Sequence, residues 1–332
     1  MKSFTKFCVA DSDIVKVFHK AGFCEITSIE PLTAGEFNSA YFVIADKNEY
    51  VLKISPKDDT NVLTYEKDIM DKEIKFYNMI AEKTDIKIPK IYYSDFSKSI
   101  IPVNLFIMER LSGKPLTSIK LSSDDGADVI EKVGEMIAKL DNIDGENFGY
   151  IQNGLEISWY KAFRKMTLNL IDDCKSLNKT CKNGEKLIEY IDKNKKLLEE
   201  IKPKYCHFDI WEGNIFYEKV ENEIILTLID TERGFFGDNI GDFCSIDFFK
   251  PLEMKSNLIN GYNKITKNPI SFSNDEIIRY NLLLCYLGII IYAEKFVRYK
   301  KTDKKYLFNV ISSEIICKKA LKALKNAKIT NK

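Results

Sequence analysis

His207, Asp209, Asn214 and Asp230 carry the densest chemical signal in the chain. The first three stand in Tyr205-Cys206-His207-Phe208-Asp209-Ile210-Trp211-Glu212-Gly213-Asn214, which reads H-x-D-x-x-x-x-N. Asp230 follows at the end of the apolar run 224–229. An Asp held within hydrogen-bond reach of a hydroxyl can take its proton. An Asn five residues on and a second Asp offer hard oxygen ligands to Mg²⁺ between nucleotide phosphates. Together these are the groups that phosphoryl transfer uses. The chain has only two histidines, His19 and His207, so one at the head of this motif is an improbable coincidence. His207 is expected to hold the loop through hydrogen bonds and not to act as the base. The flanks 215–217 and 224–229 are expected to pair as a hairpin that brings Asn214 and Asp230 together.

Phosphates also need a cation. Lys53 ends the strand-like run Tyr50-Val51-Leu52-Lys53-Ile54, and a Lys there reaches phosphates only if its flexible stem is held. Glu73, on the next predicted helix, is the expected counter-ion, with Glu66 as the alternative if the helix register differs. Ahead of Lys53 lies the small-residue loop Thr33-Ala34-Gly35-Glu36-Phe37-Asn38-Ser39. It is not a Walker A sequence, but it sits where a lid over phosphates belongs, and Asn38 and Ser39 are its candidate nucleotide contacts.

These groups must be positioned by a sizeable fold. The chain has 332 residues, 45% of them apolar, enough for two lobes. From residue 9 to 22 the pattern predicts a helix. Strand–turn–strand follows over 29–54, a helix over 63–82, and strands at 89–93 and 105–108. From about residue 124 the helical period dominates, with helices expected at 124–140 and 187–201, another capped by Ser273, and a basic amphipathic tail at 318–328. The fold class is therefore α+β and bilobal. An antiparallel-sheet N-terminal lobe (1–111) precedes a mainly helical C-terminal lobe (112–332), joined near 112–115.

The net charge of +1, carried on Lys far more than Arg, argues against a nucleic-acid partner. The longest apolar run, 282–293, is too short to span a bilayer, so no membrane partner is expected. The eight cysteines form no C-x-x-C pair, and no secretory h-region is visible, so a reducing, cytosolic setting is expected.

The chain resembles the aminoglycoside phosphotransferase and choline kinase-like family, which has a protein-kinase-like fold. The resemblance runs over about 29–293. It rests on Leu52-Lys53, Glu73, the run 106–113, the helix 134–140, Phe148-Gly149, the motif 207–214, Ile229-Asp230-Thr231-Glu232, and Gly237-Asp238 with Asp242. It implies ATP (or GTP) and Mg²⁺ as cofactors and a hydroxyl of a small molecule as acceptor, in a monomer or homodimer. It also implies a hinge at 108–111, with the Glu109 carbonyl and the Leu111 amide facing the adenine. Asp242 would brace the catalytic loop. Asp141 stands where the family often has His, and Trp211 is like the fructosamine-kinase branch. A protein kinase proper is disfavoured, because no D-F-G or A-P-E segment follows Asp230.

For the acceptor, Glu212, Glu232 and Asp238, with Trp211, Phe235 and Phe236 beside them, suit an ammonium-bearing compound, an aminoglycoside-type amino sugar first. Choline or ethanolamine, a ketosamine and a macrolide are the alternatives, as is a catalytically silent binding protein. Trp159 and Tyr160 open a segment expected either to cover the acceptor pocket or to be core.

Overall fold

The computed structural model describes residues 3–327 apart from residue 222. Helix α1 (Asp11–Lys20) turns Ile14, Val17 and Phe18 to one side, the spacing of a single helical face. That face buries against a five-stranded antiparallel sheet ordered β1-β2-β3-β5-β4. Its strands are β1 (Ile26–Leu32), β2 (Ser39–Ala45), β3 (Asn48–Ile54), β4 (Ile91–Asp95) and β5 (Leu105–Glu109). β3 is central, so Lys53 lies opposite Ala40 on one neighbour and Phe106 on the other. A central strand is a firmer support than the edge the sequence alone would allow.

The helical spacing over 63–82 resolves into a 3₁₀ turn, Thr64–Glu66, and α2 (Ile69–Lys83). Asp68 parts them in the left-handed region, with φ of 52°. Glu66 therefore belongs to the turn and Glu73 to the helix. α2 joins the lobes: Met70 and Tyr77 pack on Phe106 of the sheet, while Phe76 and Ile80 enter the core of the second lobe.

That second lobe is built on α3 (Ser123–Leu140), α4 (Trp159–Ser176), α5 (Lys182–Lys193), α6 (Lys195–Glu199), α7 (Asp242–Ser245), α8 (Ser256–Ile265), α9 (Asn274–Arg298) and α10 (Lys304–Asn326). The helix expected at 187–201 is thus two, broken at Asn194. The basic tail expected at 318–328 is the end of α10, and its last residue lies outside the described ones. α3 and α8 cross at glycines. A Cβ on Gly134 would lie 2.0 Å from the Leu258 carbonyl oxygen, and one on Gly261 would lie 1.9 Å from that of Glu131.

α9 starts at the capping box of Ser273 and Glu276 and runs 25 residues. It is longer than its apolar run suggested, and long and apolar enough to cross a membrane, yet 72% of its most apolar window is buried in the lobe. It is the central helix of the core.

Short strands complete the lobe: β6 (Lys114–Pro115), β7 (Lys204–Cys206), β8 (Ile215–Val220), β9 (Glu223–Leu228) and β10 (Phe235–Gly237). β8 and β9 form the expected hairpin, with Ile215 opposite Leu228, and β7 pairs with β10. The motif loop spans β7 to β8, and Asp230 follows β9, so the hairpin closes the site from both ends. The lobes together form an α+β bilobal fold.

Candidate active site

The motif loop is held in a strained shape. Phe208 adopts φ of 58°, costly for a bulky side chain. Three features hold it there. Asp242 accepts the Phe208 N–H at 2.7 Å, the Ser245 hydroxyl donates to the Phe208 carbonyl at 2.8 Å, and the ring packs on Phe235 and Tyr286. Asp242 and Ser245 sit at opposite ends of the one-turn helix α7. The bracing expected of Asp242 is thus a direct contact with the residue before Asp209. Burial raises the Asp242 carboxyl to about 7 against the pull of that N–H. His207 is fully buried, and its Nδ1 accepts the Asp209 N–H at 3.3 Å. Burial lowers it to about 4, so it is a neutral support and not a base.

Asp209 itself is held at both oxygens. Asn214 Nδ2 donates to Oδ2 at 2.9 Å and to the Asp209 carbonyl at 3.0 Å. Arg233 Nη1 donates to Oδ1 at 2.7 Å. Burial pushes the Asp209 carboxyl up to about 6, with Arg233 pulling the other way. Both Asn214 donor hydrogens are used, so what Asn214 has left for a cation is its amide oxygen. The hairpin fixes the distance to Asp230: the Ile229 N–H donates to the Asn214 carbonyl at 3.0 Å. Asp230 is also in the left-handed region, with φ of 68°, and its N–H donates to the Tyr77 hydroxyl at 2.7 Å.

Across the cleft, Lys53 Nζ lies 2.7 Å from Glu73, 2.8 Å from Asp230 and 3.6 Å from Glu232. Burial works against its charge, but Asp230, Glu73 and Glu232 more than offset this and hold it well above the usual lysine range. Asp230 is kept below the usual carboxylate range because Lys53 outweighs its burial. Burial raises Glu73 to about 6, still ionised at neutral pH. Glu73 is therefore the partner of Lys53. Glu66 is not: it pairs with Arg298. Glu73, Asp230 and Glu232 bring carboxylate oxygens within 4.8 Å of one another around Lys53 Nζ; Asp230 and Glu232, with the Asn214 amide oxygen, are hard donors of the kind Mg²⁺ takes.

These groups line a cleft of about 650 Å³ between the lobes. Met108, Glu109, Arg110 and Leu111 form one end, and the loop before β2 roofs it. The N-terminal segment holds that loop, with the Thr5 hydroxyl bridging the carbonyls of Glu36 and Phe37 at 3.0 and 2.7 Å. Asn38 lines the cleft and donates to Glu232 at 3.0 Å.

Four expectations need correction. Ser39 begins β2 and faces away, exchanging hydrogen bonds with the Phe7 backbone. Asp238 is fully buried, accepts from Arg279 at 2.9 Å and caps the turn of Ile240, so it cannot meet an acceptor. Glu212 is not among the cleft-lining residues, although Trp211 and Gly213 on either side are, and its carbonyl accepts the Thr117 N–H at 3.4 Å. Phe235 and Phe236 are core; Trp159 takes the core placement of the two expected for it, stacked between Phe163 and Phe235. Of the expected acceptor residues, Trp211 lines the cleft, and Glu232 does so beside Lys53.

The residue that sequence reasoning missed is Arg233. Besides Asp209 it donates to Glu294 of α9 at 2.7 Å. Arg298, one turn further on, bonds the same carboxylate at 3.0 Å and also Glu66. A chain of charge, buried from Glu294 onward, thus runs from Asp209 to the turn that precedes α2. An Arg so near Asp230, in a chain that uses Lys far more often than Arg, was the signal available.

Residues 28–246 match the phosphotransferase enzyme family. Solved structures similar to this chain include a Ralstonia eutropha protein provisionally assigned as an aminoglycoside phosphotransferase. It is 15% identical, with a TM-score of 0.67 over 96% of this chain and 99% of that one. The microcompartment-associated aminopropanol kinase is 14% identical, with a TM-score of 0.64 over 95% of this chain and 100% of the other. The streptomycin–ATP ternary complex of APH(2″)-IIa is 16% identical, with a TM-score of 0.59 over 93% and 99%. A search of curated protein sequences found no match.

Proposed function

As a member of the phosphotransferase enzyme family, this chain is, we propose, a kinase that moves the γ-phosphoryl group of ATP or GTP to a hydroxyl of a small molecule. The observation that carries the proposal is the convergence of Asp209, Asn214, Asp230 and Lys53 on one cleft, with Glu73 behind Lys53. We take the lobe boundary after Leu111. Glu109 and Leu111 would then receive the base, and the loop around Asn38 would cover the phosphates.

Asp230, Asn214 and Glu232 would hold Mg²⁺, which supplies charge neutralisation along the phosphates. Lys53 would exchange Asp230 for phosphate oxygens while keeping Glu73. Asp209, fixed by Asn214 and Arg233, would orient the acceptor hydroxyl and take its proton as the hydroxyl oxygen bonds to the γ-phosphorus. The bond from that phosphorus to the bridging oxygen breaks, and the nucleoside diphosphate leaves with the electron pair.

The test is Mg-nucleotide titration by calorimetry, followed by nucleotide turnover against hydroxyl compounds. Binding with acceptor-dependent turnover supports the proposal, and absence of Mg-dependent binding refutes it. An amino-sugar acceptor keeps little support, because Asp238 is tied to Arg279 and Glu232 to Lys53 and Asn38.

A further inference from the structure

Resting on the kinase reading, we infer that the acceptor of this enzyme is a neutral compound whose body is apolar, and not a polycationic amino sugar. The observation behind it is the wall of the cleft that α9 supplies. Leu287, Ile291 and Arg298 of α9, at helical spacing on one face, line the cleft. Glu294, on the same face but behind the lining, is tied to Asp209 through Arg233, and Leu287 and Ile291 share the cleft with that base. Leu287 and Ile291 line the cleft there with Phe248, Phe37 and Trp211.

The charged and hydroxyl side chains here are held by partners. The Ser245 hydroxyl donates to Phe208, Arg233 is held by Asp209 and Glu294, and Arg298 is held by Glu294 and Glu66. Tyr65 donates to Glu294 at 2.6 Å. The remaining carboxylate on this side, Glu36, is met by Lys305.

Around the whole cleft, ionisable carboxylates and cations are equal in number, five of each among the described residues. A ligand with several ammonium groups needs carboxylates that are not already paired, since each exposed charge pair adds little by itself. A neutral apolar body needs only burial, which the Leu287, Ile291 and Phe248 surface supplies.

Two probes decide between these ligands: 2-phenylethanol, and kanamycin A as the polycation. Trp159 is fully buried and Trp211 is 42% exposed in the cleft, so a change in tryptophan emission reports Trp211. The full chain, saturated with Mg²⁺ and a non-hydrolysable ATP analogue at physiological salt, is titrated with each probe. The expected result is saturable 2-phenylethanol binding, on the order of millimolar for so small a ligand, and kanamycin binding at least about tenfold weaker. Ile291→Asp should weaken 2-phenylethanol about tenfold, and nucleotide-analogue affinity reports whether that variant is folded. If Ile291→Asp fails to fold, Phe248→Ala serves in its place, with the same loss expected. Kanamycin binding as tight as the alcohol, no saturable alcohol binding up to its solubility, or an unchanged affinity in the folded variant overturns the inference. Failure to bind the Mg-nucleotide analogue at all overturns the kinase reading instead, and is read first.

Discussion

Replacing Arg233 by Leu should move the pH dependence of the reaction more than it lowers the maximal rate. Arg233 lies 2.7 Å from Asp209, and the two side chains are only 14% and 13% exposed, so its charge is weakly screened. Burial has already raised the Asp209 carboxyl to about 6, and Arg233 restrains that rise. A cation at this distance depresses a carboxyl by about one to three pH units. Without it the carboxyl should titrate between about 7 and about 9. A base works only when ionised, so the acid limb of kcat/KM must move to higher pH. At pH 7.5 the ionised fraction falls from nearly complete to between about three quarters and about 3%. Raising the pH should recover most of the loss.

The assay is acceptor-dependent turnover from pH 5.5 to 9.5 at saturating Mg²⁺, so any effect of the metal on Asp209 is common to both proteins. Arg233→Lys keeps the charge and should keep the limb near its original place. Melting temperatures of both variants separate this effect from instability, since Leu leaves Glu294 with Arg298 alone. A uniform drop in rate with the acid limb unmoved would refute the proposed role of Arg233.

Lys53→Ala and Glu73→Ala should each raise KM for nucleotide about tenfold or more, and the double variant should lose less than the product of the two, because they act as a unit. Full additivity in that cycle would detach Glu73 from Lys53 function. Asp230→Ala should weaken Mg-nucleotide binding more than Asn214→Ala, since a carboxylate neutralises metal charge and an amide does not. Equal calorimetric affinities would count against those roles. Burial and neighbouring Asp230 push the Glu232 carboxyl up to about 8. A carboxyl raised this way destabilises the fold progressively as pH rises from the unfolded value towards 8. Glu232→Gln should therefore raise the melting temperature of the nucleotide-free protein at pH 8, not at pH 4, while weakening Mg-nucleotide binding. An equal change in melting temperature at both pH values would contradict the titration.

What the sequence made legible was local and periodic. The spacing from His207 to Asn214, the β8–β9 hairpin and the Lys53 strand are short-range patterns. They placed Asp209, Asn214, Asp230 and Lys53 in one cleft. What was not legible depends on distant partners. Asp238 looked like a free acid because Arg279, on α9, cannot be seen from its neighbours. Phe235 and Phe236 looked like a pocket wall, but the pairing of β10 with β7 turns them into the core. The 63–82 helix read as continuous because one left-handed Asp68 leaves no mark in hydrophobic period. Arg233, Glu294, Arg298 and Glu66 come from three separate stretches of chain, and only the packing of α9 against the motif loop makes them one network.

The central claim is that this cleft moves a phosphoryl group to a small alcohol with Asp209 as the base. The most direct measurement is ³¹P NMR of the protein with Mg-ATP and a panel of hydroxyl compounds spanning neutral apolar alcohols, choline, ketosamines and amino sugars, run beside Asp209→Asn. A new phosphate-ester resonance growing in step with ADP, reduced at least about 10²-fold by Asp209→Asn while Mg-ATP affinity survives, is the expected result. An ester formed equally by Asp209→Asn would contradict the claim, as would Mg-ATP binding with no ester from any compound in the panel.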